Sequence, residues 1–310
     1  MPINSLKKYT IGEYIRQVES SLENKELFFG HGTSNALDEA AYIVLTITEH
    51  LPVMSEDVYQ VVVTERQQKQ ISKIVDRRIK EKVPAAYLLQ EAWFAGLRFY
   101  VNEDVLVPRS PFAELIGDLF SPWVDYEKTL SILDLCTGSG CIGIAAAKAF
   151  PHAQVDVSDV SEKALIVAKE NIKRHDLEGR VVAIKSDLYA GLAGKKYDLI
   201  MSNPPYVCIE EVESLPTEYR NEPRLGLDGG ESGLDLVHYI LAFAPEHLNE
   251  QGVIFVEVGS SAETLEDFYP MVPFLWQDFE YGGDGVFMLT KSQLLEYHQE
   301  FVANTGSVSR

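Results

Sequence analysis

Cysteine is scarce: Cys136, Cys141 and Cys208 are the only three in 310 residues. Their odd number and irregular spacing exclude a disulfide framework and any recognisable zinc-ligand pattern, so a reducing compartment and no metal are the expectation. Long apolar runs are missing too. No stretch approaches the roughly 18 apolar residues that read as a membrane helix, and Met1 to Tyr9 carries lysines without the apolar core of a leader. Positive charge is short, with 27 Lys and Arg against 47 Asp and Glu, a net −20. Attraction to a phosphate backbone needs the opposite sign, so direct sequence-specific nucleic-acid binding is disfavoured and a basic protein partner favoured, although an acidic balance also serves solubility alone. Repeats and low-complexity segments are absent, and only the tail from Asn304 to Arg310 looks loose. A cytoplasmic location without membrane attachment is expected.

What is present suits one large or two ordinary globular domains, with 46% hydrophobic and 24% charged residues. Residues 1–92 read as a helical domain. Thr10 with Glu13 makes a capping box ahead of Ile11, Tyr14, Ile15, Val18 and Leu22 at helical spacing. Leu37, Ala40, Ala41, Val44, Leu45 and Leu51 repeat the pattern, with Pro52 as the expected stop. A third helix starts at Thr64, boxed with Gln67, and buries Ile71, Ile74, Val75 and Ile79. Its other face presents Lys69, Lys73, Arg77, Arg78, Lys80 and Lys82, a basic stripe that reads as a solvated face or as a contact with a negative partner such as ribosomal RNA. The loop Phe28 to Thr33 holds a lone histidine, His31, whose commoner role is to fix the loop by hydrogen bonding.

Residues 93–107 read as a linking β-hairpin, with Trp93–Val101 and Val105–Val107 flanking a turn at Asn102-Glu103-Asp104. Arg109 follows, either a charged latch over a cofactor or substrate or one half of an interdomain salt bridge. Residues 108–310 then alternate strand and helix. Ser131–Cys136, Gln154–Val157, Val181–Ile184, Tyr197–Ser202 and Val253–Val258 are short apolar runs, and such alternation argues an α/β fold with a parallel sheet covered on both faces. Phe274–Phe279 and Val286–Thr290 have no helix between them and should pair as a hairpin, placing an antiparallel strand at the end of the sheet.

Two motifs carry chemistry. After the first strand of this region come Asp134, Thr137, Gly138, Ser139, Gly140 and Gly143, whose glycines match G-x-G-x-x-G between a strand and a helix. Asp159, ending the second strand, is placed to accept both hydroxyls of a ribose, and Asp187, after the third, to meet an adenine edge. A dinucleotide such as NAD would use much the same residues. Two features favour S-adenosylmethionine: Asp134 is awkward beside a pyrophosphate yet useful beside an amino group, and Asn203-Pro204-Pro205-Tyr206 has no role in hydride transfer. Consecutive prolines end the strand and stiffen the chain. The Asn203 side chain and the Pro204 carbonyl then offer two acceptors for the protons of a planar NH2 group, with the Tyr206 ring to stack on its plane. Ligands of open α/β sheets bind at the carboxyl ends of the strands, so this corner and the glycine loop should face each other. Leu215 to Gly233 reads as a lid over the target side chain, with Glu218, Arg220 and Glu222 as contacts, or as a rigid surface loop.

The glycine loop, Asp159, Asn203-Pro204-Pro205-Tyr206, Gly282-Gly283-Asp284-Gly285 and the helical front together resemble the HemK-type protein-(glutamine-N5) methyltransferases. Gly30-His31-Gly32-Thr33, Val107-Pro108-Arg109-Ser110-Pro111 and Tyr219-Arg220-Asn221-Glu222-Pro223 resemble the branch acting on the third protein of the large ribosomal subunit. The release-factor branch is expected to carry Arg-Pro-Asp-Thr where this chain has Arg109-Ser110-Pro111-Phe112. The resemblance spans about residues 9–295. It implies a helical substrate-recognition domain, a seven-stranded Rossmann-like class I methyltransferase domain, and methyl transfer from S-adenosylmethionine to a glutamine side-chain amide of a ribosomal protein, free or in an assembling particle. Asp134, Thr137, Gly138, Ser139, Gly140, Asp159, Asp187 and Asn203 form the expected cofactor set. Asn203, Pro204, Pro205, Tyr206 and Arg109 form the substrate set, with Asn203, Pro204 and Tyr206 at the chemistry. Two rival readings stand beside it: an adenine-N6 methyltransferase of DNA or RNA, whose substrate is also a planar NH2, and a cofactor-binding assembly module without catalysis.

Overall fold

A computed structural model describes residues 8–23, 25–51 and 56–306. The chain divides into two compact units, one running to Ala92 and including Pro216–Asn221, the other Trp93–Leu215 with the residues from Glu222 onward.

The first unit is helical: α1 (Ile11–Leu22), α2 (Ala36–Ile47), α3 (Glu65–Glu81) and α4 (Ala85–Leu89). Both expected capping boxes form, Thr10 with Glu13 and Thr64 with Gln67. Each satisfies two backbone donors that a helix start leaves open. Ile11, Tyr14, Ile15, Val18, Leu22, Ile43, Val44 and Ile71 meet in one apolar core. The second helix stops earlier than expected: Ile47 is its last residue, Thr48 Oγ bonds back to the Val44 carbonyl at 2.8 Å, and Leu51 is 41% exposed. Glu49, at φ 62°, has already left the helical path. Pro52, the expected stop, lies outside the described residues.

Arg78 departs from the basic stripe altogether. It is 1% exposed, pairing with Glu39 at 2.7 Å and Glu218 at 3.0 Å and donating to the Phe28 carbonyl at 2.8 Å. Of the stripe that remains, Arg77 pairs with Glu81 and Lys80 lies near Asp76 on the same helix. His31 is buried, its ring 4.6 Å from that of Tyr219.

The expected pairing of Trp93–Val101 with Val105–Val107 does not form: Val105–Val107 is not a strand, and β1 (Ala92–Phe94) and β2 (Leu97–Phe99) make a hairpin within what reads as one strand. Its turn is Ala95-Gly96, at φ 48° and 73°. Two left-handed residues match the twist of paired strands, which Asn102-Glu103-Asp104 does not. Seven further strands form one sheet in the order β5-β4-β3-β6-β7-β9-β8. They are β3 (Ser131–Leu135), β4 (Gln154–Asp159), β5 (Val181–Lys185), β6 (Tyr197–Ser202), β7 (Leu248–Glu257), β8 (Leu275–Trp276) and β9 (Val286–Thr290). The first five in chain order are parallel neighbours, as the strand-helix alternation requires, and β9 runs against both β7 and β8. The antiparallel strand is therefore one in from the edge. Val286, Phe287, Met288 and Leu289 are all buried and need a neighbour on each side, whereas β8 has two half-buried residues and suits an edge.

Both faces of the sheet are covered. Helices α5 (Phe112–Gly117), α6 (Cys141–Ala149) and α7 (Glu162–Arg174) pack with Val157, Met201 and Phe255 on one side. After α8 (Ile209–Ser214), helices α9 (Asp235–His247), α10 (Ala262–Phe268), α11 (Lys291–Glu296) and α12 (His298–Thr305) pack with Leu133, Ile200 and Val256 on the other. Asn304, expected in a loose tail, is inside α12, and its side chain donates to the Glu300 carbonyl at 3.1 Å. Residues 307–310 lie outside the described part.

Candidate active site

Strand pleating assigns the site its residues. Asp134 on β3 pairs in register with Val157 on β4 and Met201 on β6, and Met201 with Phe255 on β7. These stand on one face of the sheet. Two residues further along a strand returns to the same face, which brings up Asp159 at the end of β4 and Glu257 at the end of β7. Asn203 follows the last β6 residue, Ser202, itself paired with Leu135 on one side and Val256 on the other. The Pro-Pro corner thus emerges between the start of the glycine loop and Glu257. The expected juxtaposition of corner and loop is present, reinforced by Ser202 Oγ on the Leu135 carbonyl at 2.9 Å.

The glycine loop curls through Cys136, Gly138 and Gly140 at φ 64°, 55° and 82°. A cysteine in this region is strained, and strain held this way concentrates at functional sites. Gly143 serves packing instead: a Cβ there would lie 2.4 Å from Val157 Cγ1 and 3.0 Å from Asp134 Cβ, so only glycine lets α6 sit this close to the sheet. Asp134 is fully buried. One carboxylate oxygen accepts from the Thr137 hydroxyl and from the Gly143 N–H, the latter at 2.8 Å, while the other has no hydrogen-bond partner. Burial pushes its carboxyl up to about 7 despite those bonds.

Asp159 reaches back to the loop with one oxygen, accepting from Gly138 N–H at 2.9 Å, and accepts from Ser161 N–H at 2.8 Å with the other. Burial raises its pKa against these bonds. It remains half-exposed and retains unused lone pairs. Asp187 is exposed just beyond β5. Thr137 and Ser139 are buried and face the loop's own scaffold: Thr137 on Asp134, and Ser139 through its carbonyl on Asn171 Nδ2 at 2.9 Å. Asn171, on α7, was not singled out in the sequence. It pins the loop by also exchanging bonds of 2.7 and 2.9 Å with the backbone of Tyr100.

Around the corner, Pro204 and Pro205 are buried and Asn203 and Tyr206 half-buried. Tyr206 donates its hydroxyl to Glu257 at 3.1 Å and its carbonyl accepts from Ser261 Oγ at 2.8 Å. Arg109 forms a bidentate pair with Glu222 at 2.7 and 2.6 Å, both in the second unit. Glu218 and Glu222, expected as lid contacts to a target, are buried partners of Arg78 and Arg109, while Arg220 belongs to the first unit. Residues 224–230 are tied down by backbone bonds, Val207 to Leu227, Gly229 to Val207 and Ile209 to Gly230, each 2.9–3.0 Å. Glu257 was missed in the sequence, though an acidic residue closing the apolar run Val253–Val256 was a legible signal. Among the described residues no group of His, Cys, Asp or Glu suits a metal ion, and no helix is long and apolar enough to cross a membrane.

A family profile described as methyltransferase small domain matches residues 118–215. The ribosomal protein uL3 glutamine methyltransferase of Francisella tularensis is 45% identical over 301 residues, covering 96% of this chain and 95% of that protein. Its namesake from Neisseria meningitidis is 46% identical over 289 residues, covering 92% and 94%. A solved methyltransferase structure from Pyrococcus furiosus aligns with 19% identity and a TM-score of 0.46, over 74% of this chain and 99% of that one. A site of this kind at the carboxyl ends of a parallel sheet, in a chain so close to these relatives along almost its whole length, makes the chain a methyltransferase of the ribosomal protein uL3 glutamine methyltransferase family.

Proposed function

We propose that this enzyme transfers a methyl group from S-adenosylmethionine to the side-chain amide nitrogen, N5, of a glutamine in ribosomal protein uL3. The observation that carries the reading is the strand register that sets Asn203 beside the glycine loop, Leu135 opposite Ser202, in a chain 45% identical to a relative of that name. The net charge of −20 supports a basic protein as substrate over a nucleic acid. A ribosomal protein, free or in an assembling particle, supports a cytoplasmic location.

The residues fit the cofactor. Asp134 has a buried oxygen without a partner, suited to an ammonium group. Asp159 keeps lone pairs for ribose hydroxyls, Asp187 is exposed for an adenine edge, and Thr137 and Ser139 hold the shape in which Gly138 and Gly140 present bare backbone. When bound, the sulfonium supplies an electrophilic methyl with a good leaving group, so the protein's task is alignment. A carboxamide nitrogen is a weak nucleophile because its lone pair is delocalised into the carbonyl. Asn203 Oδ1 and the Pro204 carbonyl hold its two protons and so aim the lone pair, while Tyr206 flanks the amide; as the N–C bond forms and the S–C bond breaks the nitrogen becomes acidic and gives up one of those protons to water. Holding reacting groups in line is worth on the order of 7 kcal/mol or more. Arg109, fixed by Glu222, supports the substrate side of the corner.

The test is incubation of purified enzyme with labelled S-adenosylmethionine and uL3, followed by peptide mass spectrometry. Asn203→Ala is expected to abolish nearly all transfer while cofactor affinity stays within a few-fold; equal loss of both would refute the acceptor role. Label that follows nucleic acid rather than uL3 after nuclease and protease digestion would support the adenine-N6 reading instead.

A further inference from the structure

The second half of strand β7 is the buried apolar run Val253–Val256, and it ends at Glu257, which is 3% exposed. Leaving a carboxylate in such a place is costly unless donors converge on it. They do: Ser110 Oγ lies 2.5 Å from Oε2, and the Tyr206 hydroxyl 3.1 Å from Oε1. Asn203 follows Ser202, which pairs with Val256, so the register sets it alongside Glu257, where its side-chain amide favours the ionised carboxylate, as does the charge of Arg109, clamped by Glu222. The Tyr206 ring is held by contact as well, because a Cβ on Gly259 would lie 2.6 Å from its Cε2.

The two ends of an asparagine side chain are nearly isosteric, so packing alone does not decide which one faces a substrate. An ionised carboxylate accepts and never donates. Beside Asn203 it draws Nδ2 toward itself and turns Oδ1 outward. We propose that Glu257 is a positioning residue for methyl transfer, holding the Asn203 amide with its oxygen toward the substrate and the Tyr206 ring in a fixed plane. The proposal rests on the reading of Asn203 as acceptor and adds the group that orients it. Protonation makes Glu257 a donor and cancels the preference. Burial pushes its carboxyl up to about 7, against bonds from Ser110 and Tyr206 and the attraction of Arg109.

Turnover of uL3 is measured against pH, with cofactor affinity by calorimetry, for wild type, Glu257→Gln, Glu257→Asp and Ser110→Ala. Glu257→Gln is expected to lower kcat about 10- to 100-fold, the scale of a misplaced reacting group, while cofactor affinity changes less than about twofold. It should also erase an acid limb near pH 7 that wild type shows, and Glu257→Asp should restore part of kcat with the limb. Ser110→Ala keeps the buried charge but removes a donor that favours it, so its acid limb should move to higher pH; this reads the proposal even if Glu257→Gln does not fold. Wild-type kcat and acid limb in Glu257→Gln, or an unmoved limb in Ser110→Ala, would overturn it. Turnover surviving in Asn203→Ala would instead sink the acceptor reading itself, whatever the Glu257 variants do.

Discussion

Asp134 and Glu257 share a physical situation: each is a carboxyl raised to about 7 by burial, from ordinary values of 3.8 and 4.5. Between about pH 4 and 7 the native state binds protons that the unfolded chain has released, so stability falls as pH rises through that window and levels off above it. Chemical denaturation of wild type and Asp134→Asn should show wild type losing ground across this range and running parallel above it. Cofactor binding acts the other way on Asp134. An ammonium group beside it favours the ionised form, so binding at about pH 6 should release up to about one proton, seen as a buffer-dependent binding enthalpy that Asp134→Asn lacks. Arg78 presents the opposite case. Removing it strands Glu39 and Glu218 in the core of the first unit, and Arg78→Ala should cost about 3–5 kcal/mol in urea titrations.

Elements impose constraints that no single side chain carries. Helix α6 presses so close to β3 and β4 that Gly143→Ala would overlap Val157 and Asp134, with an expected cost of about 1–3 kcal/mol in denaturant midpoint and a matching loss of cofactor affinity as the loop shifts. The segment from Val207 to Gly230 bears on how the target is covered. Its backbone bonds predict that the amides of Val207, Ile209 and Gly229 exchange slowly in unliganded enzyme. Fast exchange there, slowed by cofactor plus substrate, would restore the moving-lid reading.

At the scale of the whole molecule, the first unit borrows Pro216–Asn221 from far along the chain. Glu218 supplies Arg78 with its second carboxylate, and Asn221 Nδ2 donates to the Lys82 carbonyl at 3.2 Å. Replacing 216–221 by a Gly-Ser linker should therefore lower the melting temperature of the helical unit although none of its helices is touched. The charge of −20 should also make capture of basic uL3 fast at low ionic strength and markedly slower at high salt, measured as an association rate by stopped flow.

Local chemistry was readable from the chain alone. Thr10, Thr64 and their partners cap helices because a hydroxyl and a carboxylate or amide three residues on satisfy neighbouring backbone donors. Gly138 and Gly140 mark a loop because left-handed backbone favours glycine, and Tyr197–Ser202 ends as a strand where Pro204 and Pro205 remove the donors. Charge and reach at a distance were not readable. Arg78 falls among exposed lysines by helical spacing, yet becomes a core residue because Glu39 and Glu218 arrive from other segments to meet it. Glu257 looked like the end of a strand until β6 and the turn before α5 brought Asn203, Tyr206 and Ser110 onto it. Periodicity reports which face a residue takes; what waits on that face is decided only when distant strands fall into register.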